Sequence, residues 1–124
     1  MNEIINLYDS AELQQTAYTM EALGNETRLA IFTLLVPAGQ GGLTVGTVQA
    51  RLKVPGSTLS HHLARLVQVD LVQQERQGRK LICRANYRRM DDVLKFLTRN
   101  CCAADGVDAG HVHDTSVEQE GSVA

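Results

Sequence analysis

Apolar positions recur along this 124-residue chain with two periods, and the change from one to the other organises it. Leu13, Ala17 and Met20 fall at i, i+4 and i+7 behind Ser10, a residue type that caps helix starts, which predicts an amphipathic helix over 10–23. Asn25 can cap a second helix from Glu26 to about Val36, with Leu29, Phe32 and Leu34 or Leu35 turned inward. Pro37 stops that helix, and residues 37–42, Pro-Ala-Gly-Gln-Gly-Gly, read as a loop. A short helix from Thr44 to about Leu52 follows, apolar at Val45, Val48 and Leu52. Residues 53–56 form a turn. Pro55 suits the entry to a further helix, Ser57 to about Asp70, whose buried stripe is Leu59, Leu63 and Leu66.

Beyond Asp70 the pattern becomes that of strands. Residues 71–76 and 80–85 read as two strands joined by Gln77-Gly78-Arg79, a glycine-containing hairpin turn. A last helix is expected from about Arg88 to Cys102, with Met90, Val93, Leu94, Leu97 and Cys101 along one stripe. The fold class is therefore mainly α with a small β-hairpin (α+β), in the order helix-helix-helix-helix-strand-strand-helix: a winged helix-turn-helix. Residues 1–102 form the expected domain, and 103–124, aperiodic and acidic, a disordered C-terminal tail.

Charge changes the picture once it is divided along the chain. In total, 12 Lys and Arg stand against 14 Asp and Glu, a net charge of −2 with a pI near 6.0, which argues against a nucleic-acid binder. By segment, residues 1–50 carry −4, residues 51–89 carry +7 and residues 103–124 carry −5. The basic middle is where a polyanion would bind. Other classes fall away on composition. No apolar run approaches the roughly 18 residues of a membrane-spanning helix, and the N-terminus lacks the basic region of a secretory signal. Aromatic residues make up 4%, too few for a single-strand stacking platform. Three cysteines, an odd number at low density, read as free thiols of a cytoplasmic protein.

The basic segment contains the helix-turn-helix, the arrangement that lays a second helix in the major groove of double-stranded DNA. The polar face of that second helix comprises Ser57, Thr58, Ser60, His61, His62, Arg65 and Gln68. Hydroxyls and backbone N–H groups at its start suit phosphates, while Arg65 and its neighbours reach base edges. The hairpin adds Arg76, Arg79 and Lys80 for the flanking backbone or minor groove. His61 and His62 diverge by about 100° on a helix, so they do not share a metal; one packs or caps while the other faces DNA. An enzyme built on a Cys/His pair would need a pocket, an oriented base and an oxyanion donor, and the histidines here fall on the predicted DNA face or in the tail.

Residues 22–31, Ala-Leu-Gly-Asn-Glu-Thr-Arg-Leu-Ala-Ile, and 56–66, Gly-Ser-Thr-Leu-Ser-His-His-Leu-Ala-Arg-Leu, resemble the ArsR/SmtB family of metalloregulatory repressors. The resemblance spans about residues 10–102. It implies a homodimer joined through the first and last helices, bound to a pseudo-palindromic operator and released by an inducer. The family's arsenic site is a cysteine pair in the helix before the recognition helix. The matching stretch here is Leu43-Thr44-Val45-Gly46, without either ligand. The family's zinc site on the last helix uses Asp and His, and residues 88–100 contain no His.

The remaining soft ligands are Cys83, Cys101 and Cys102, with His111 and His113 of the tail as the only supplements. Thiolates select trivalent arsenic or antimony, Zn(II), Cd(II) or Cu(I). Three thiols match trivalent arsenic, and two suffice for an arsenical that already bears a carbon. The expected inducer is methylarsenite or arsenite, with no catalytic cofactor. Cys83 with Cys101 would form a two-thiol site, and unwinding of the helix at 101–102 would let all three converge. Two alternatives stay open: a thiol redox or persulfide switch, and a constitutive DNA-binding regulator with structural cysteines.

Overall fold

The computed structural model describes residues 10–105. Its elements are α1 (Ser10–Leu23), α2 (Glu26–Leu35), a 3-10 segment (Val36–Gly41), β1 (Leu43–Thr44), α3 (Val45–Leu52), α4 (Gly56–Gln68), β2 (Val72–Gln77), β3 (Lys80–Ala85), α5 (Tyr87–Thr98) and a 3-10 turn (Ala103–Asp105). The chain divides into two compact units after Met90. The larger unit is a winged helix-turn-helix: mainly helical, with one small antiparallel sheet in the order β1-β3-β2.

Local chemistry sets the joints. Asn25 Oδ1 accepts the Arg28 N–H at 3.0 Å and starts α2, and Thr44 Oγ1 accepts the Thr47 N–H at 3.0 Å and starts α3. Lys53, at φ 57°, ends α3 by donating its N–H to Gln49 O at 2.8 Å. Tyr87 Oη donates to Val36 O at 2.6 Å, tying the start of α5 to the end of α2. The core is drawn from all layers of this unit: Ile31, Phe32 and Leu35 of α2, Val48 of α3, Leu59, Leu63 and Leu66 of α4, and Leu71, Val72, Cys83 and Ala85 of the sheet. Each fully buried leucine contributes about 1.5–3 kcal/mol.

Several sequence expectations are corrected. Residues 37–42 are mostly a 3-10 segment rather than a loop, and β1 is a third strand that no two-residue pattern could announce. Gly42 makes that strand possible. Its φ is +64°, and a Cβ there would stand 2.4 Å from Cys83 O, so only glycine lets β1 lie against β3. The hairpin register pairs Gln77 with Lys80, leaving a two-residue turn of Gly78 and Arg79 instead of three. Helix α4 runs 56–68 rather than 57–70, because Asp70 turns into the left-handed region at φ 67°.

The outer helices depart furthest. In α1 the buried residues are Thr16, Thr19 and Ala22; Ala17 and Met20 of the expected stripe face outward. The reason is polar: the Thr19 hydroxyl donates to Gln15 O at 2.9 Å and accepts from Arg89 Nη2 at 2.6 Å, so it can be buried without an unmet hydrogen bond. Leu29 of α2 is exposed, as are Leu94 and Leu97 of α5, where Val93 and Phe96 are buried instead. Helix α5 ends at Thr98, not at Cys102, and 103–105 form a 3-10 turn where tail was expected. The rest of the expected tail, with His111 and His113, lies outside the described residues.

Candidate nucleic-acid interface and thiol positions

Helix α4 is amphipathic: Leu59, Leu63 and Leu66 anchor it in the core, and the opposite face is polar. Ser57, Thr58, Ser60, His61 and Gln68 are exposed on that face. Pro55 precedes the helix without a side-chain cap, so the first-turn N–H groups stay available to an anion.

Two expected contact residues are held by other helices. His62 is half-buried, with Nδ1 3.2 Å from Arg28 Nη1. Burial, and then the charges of Arg28 and His61, push its pKa down and disfavour the charged ring, while His61 stays exposed. Arg65 pairs with Glu21, lies over the Tyr18 ring at 4.3 Å and donates from Nη1 to Gln68 Oε1 at 3.3 Å. Its hydrogen bond to Glu21 raises its pKa further above the physiological range. Tyr18, Glu21 and Arg28 are not among the expected contact residues; Arg28 stands out in the sequence as the single cation of the first 50 residues and within the motif at 22–31.

The hairpin behaves differently. Arg76, Arg79 and Lys80 are exposed, and none of their side chains forms an ion pair or hydrogen bond among the described residues. The nearby carboxylate, Glu75, is already engaged by Arg84 Nη1 at 2.8 Å, which holds its pKa below the usual carboxylate value. These cations line an open groove of about 550 Å³ with the start of α3 (Thr44, Val45, Gly46, Thr47) and Leu81. A second groove of about 480 Å³ lies beside α4, lined by Glu21, Arg28, His61, Ala64, Arg65 and Gln68. Uncompensated cations flanking a polar helix face suit a polyanion.

The thiols fall into two settings. Cys83 sits on the central strand β3, fully buried, its Sγ accepting from Gln74 Nε2 at 3.4 Å. Burial pushes its pKa up. In the smaller unit, Cys101 and Cys102 follow the end of α5, and their Sγ atoms stand 3.5 Å apart. Cys102 is exposed, at φ 61°. The hydrogen bond to Cys102, and then its charge, raise the Cys101 pKa. Among the described residues no three His, Cys, Asp or Glu side chains form a cluster able to hold a metal ion, and no helix is long and apolar enough to cross a membrane.

A family model described as a helix-turn-helix domain matches residues 23–75. The transcriptional activator HlyU of Vibrio cholerae serotype O1 is 29% identical over 86 residues, 69% of this chain and 77% of that protein. An ArsR-like transcriptional regulator from Rhodococcus sp. RHA1 superposes with a TM-score of 0.66 at 23% identity, covering 86% of this chain and 96% of the other. The homodimeric winged helix-turn-helix DNA-binding domain of Mb0332 from Mycobacterium bovis, described as a possible ArsR-family regulator, gives a TM-score of 0.59 at 24% identity, covering 79% and 89%.

Proposed function

We infer that this chain is a DNA-binding winged helix-turn-helix transcriptional regulator of the ArsR family, a homodimeric repressor that releases a pseudo-palindromic operator when cysteine thiolates capture a trivalent arsenical. The observation that carries the operator reading is the set of unpaired hairpin cations, Arg76, Arg79 and Lys80, beside the exposed Ser57, Thr58, Ser60, His61 and Gln68 of α4. Two-fold pairing sets two such faces about one DNA turn apart. Exposed apolar side chains on both outer helices, Tyr18 and Met20 of α1 and Leu94 and Leu97 of α5, are surfaces that pairing would cover.

The vicinal thiols support the inducer reading. Methylarsenite carries one carbon and two hydroxyls. Each hydroxyl leaves as water with a thiol proton as an arsenic–sulfur bond forms, so Cys101 and Cys102 satisfy it and arsenic stays trivalent. Arsenite exchanges three hydroxyls and calls for a third thiolate, for which Cys83, buried and with its thiolate disfavoured, is the candidate. Release follows by linkage: the inducer binds the DNA-free state more tightly, so it lowers operator affinity by the same factor.

A gel shift on the DNA upstream of the chain's own coding region, at two salt concentrations with and without each arsenical, tests this. Binding is expected to fall steeply with salt, at about 0.9 per phosphate contacted in log–log slope. Methylarsenite is expected to abolish the shift, and Cys101→Ser or Cys102→Ser to make the complex resistant. An unchanged shift with both arsenicals defeats the inducer reading. The same thiol pair favours one competing reading, in which hydrogen peroxide takes two electrons and two protons from the pair and leaves a disulfide and two waters; release by hydrogen peroxide that dithiothreitol reverses would establish it. A reporter behind the operator reads the sign of regulation, since the Vibrio relative bears the name of an activator.

A further inference from the structure

Helix α4 carries one fixed cation, Arg65, and its place on the polar face makes it the natural reader of a guanine. Its guanidinium is turned toward a different helix. Nη2 pairs with the Glu21 carboxylate, the guanidinium covers the Tyr18 ring at 4.3 Å, and Nη1 donates to Gln68 Oε1 at 3.3 Å. Tyr18 and Glu21 are three residues apart on α1 and so share one face of that helix. The planar fork of an arginine fits this seat, with an edge for the carboxylate and a face for the ring, and a lysine would not. The Arg65 side chain keeps 20% of its exposure, against 64% for Glu21, so the cation is the enclosed partner.

We propose that Arg65 is a positioning residue, which with Tyr18 and Glu21 fixes the angle of α4 on α1 and so makes the reading helix sensitive to what packs on α1. The proposal rests on the reading above that α4 meets DNA and that α1 helps to pair two copies. Tyr18 keeps 49% of its surface exposed, so a second copy seated on α1 would cover the same ring that holds Arg65. Dimer packing and the aim of α4 then share one residue, without any contact between Arg65 and a base.

The test is a double-mutant cycle on the full chain, Glu21→Gln, Arg65→Gln and both, read by operator affinity. The brace predicts that Glu21→Gln weakens binding about threefold, the scale of an exposed ion pair. Arg65→Gln does the same, and the double variant is no worse. Tyr18→Phe keeps the stack and rescues the affinity that Tyr18→Leu loses. If Arg65 instead reads a base, Glu21→Gln frees it and binding stays equal or tightens, while Arg65→Gln relaxes the preference at one base pair; that result overturns the proposal. Amide hydrogen exchange in the DNA-free protein separates this from failure of the DNA reading itself. The brace predicts about threefold more frequent opening over residues 63–69 in Glu21→Gln, and unchanged exchange there overturns it.

Discussion

Cys83 and the Cys101–Cys102 pair carry the same functional group in opposite settings. Cys83 is fixed on the middle strand, flanked by β1 and β2, with a pairing register to Leu43 on one side and Gln74 on the other. It has no exposed surface, and its thiol takes a hydrogen bond from Gln74 while burial disfavours the thiolate. Cys101 and Cys102 stand past the last hydrogen-bonded turn of α5, with nothing but each other for a sulfur partner among the described residues. A thiol acts through its thiolate and through access to it; the strand buries Cys83 and disfavours its thiolate, while the helix end leaves Cys102 exposed. The difference teaches that Cys83 is placed as a small core residue, while the adjacent pair holds the accessible sulfur.

The largest effect that could break this comparison is in alkylation. With iodoacetamide at pH 8 and peptide mapping by mass spectrometry, Cys102 is expected to label within minutes. Cys83 has to wait for opening of the sheet, and labels on the order of a thousandfold more slowly if local opening costs about 4 kcal/mol. Equal rates would mean that β3 is accessible in solution and that Cys83 competes as an inducer ligand from the start.

A smaller effect separates the two settings in stability. Cys83→Ala removes a buried sulfur between packed strands and is expected to cost about 1–2 kcal/mol in urea unfolding, while Cys102→Ala stays within about 0.5 kcal/mol. The pH dependence has a definite sign. The folded Cys83 pKa is raised, so its stabilisation is fully present below the ordinary thiol pKa of 9.0. It is lost as pH rises above that value toward the raised folded pKa, because over that interval the unfolded chain ionises and the folded one does not. Between pH 8 and 10 the wild type should therefore lose more stability than Cys83→Ala does. Parallel curves would show that burial on β3 is not what suppresses this thiolate.

The comparison also shows which parts of the molecule a sequence can disclose. The apolar spacing of Leu59, Leu63 and Leu66 located α4 and, by exclusion, the polar face that the structure exposes. That information is local. The mistaken face of α1 is not local: Thr16 and Thr19 look solvent-bound until Arg89, seventy residues on from Thr19, supplies the hydrogen bond that makes Thr19 burial tolerable. For the same reason the ties of Arg65 to Tyr18 and Glu21, and of His62 to Arg28, had no signature beyond single charges on another helix. β1 was invisible because two residues carry no period, although the run of glycines before it marked a close approach. The cysteines were legible as a set but not in their arrangement. A helix continued through residue 102 would splay adjacent side chains by about 100°. The chain instead leaves the helix after Thr98, where the Thr98 hydroxyl bonds back to Leu94 O at 2.9 Å and Cys101 N–H closes a turn on Thr98 O at 3.0 Å. The left-handed Cys102 then brings the two sulfurs together.

That turn geometry leads to the smallest and most discriminating effect. Because Cys102 raises the Cys101 pKa, first through their hydrogen bond and then through charge, Cys101 holds less thiolate at pH 8 than an isolated cysteine would. Cys102→Ala removes both causes. The Cys101 thiol should return toward its ordinary value, and its alkylation at pH 8 should become about twofold faster as the thiolate fraction rises. The reciprocal variant in Cys83 should leave this rate unchanged. Most adjacent substitutions slow a reaction by crowding or leave it alone, so an acceleration on deleting a neighbour is a signature of a coupled pair. A rate that stays flat or falls would mean that the two sulfurs do not dwell near 3.5 Å in solution. In that case a two-thiol ligand would have to draw the sulfurs together, and the proposed preference for methylarsenite over arsenite would lose its support.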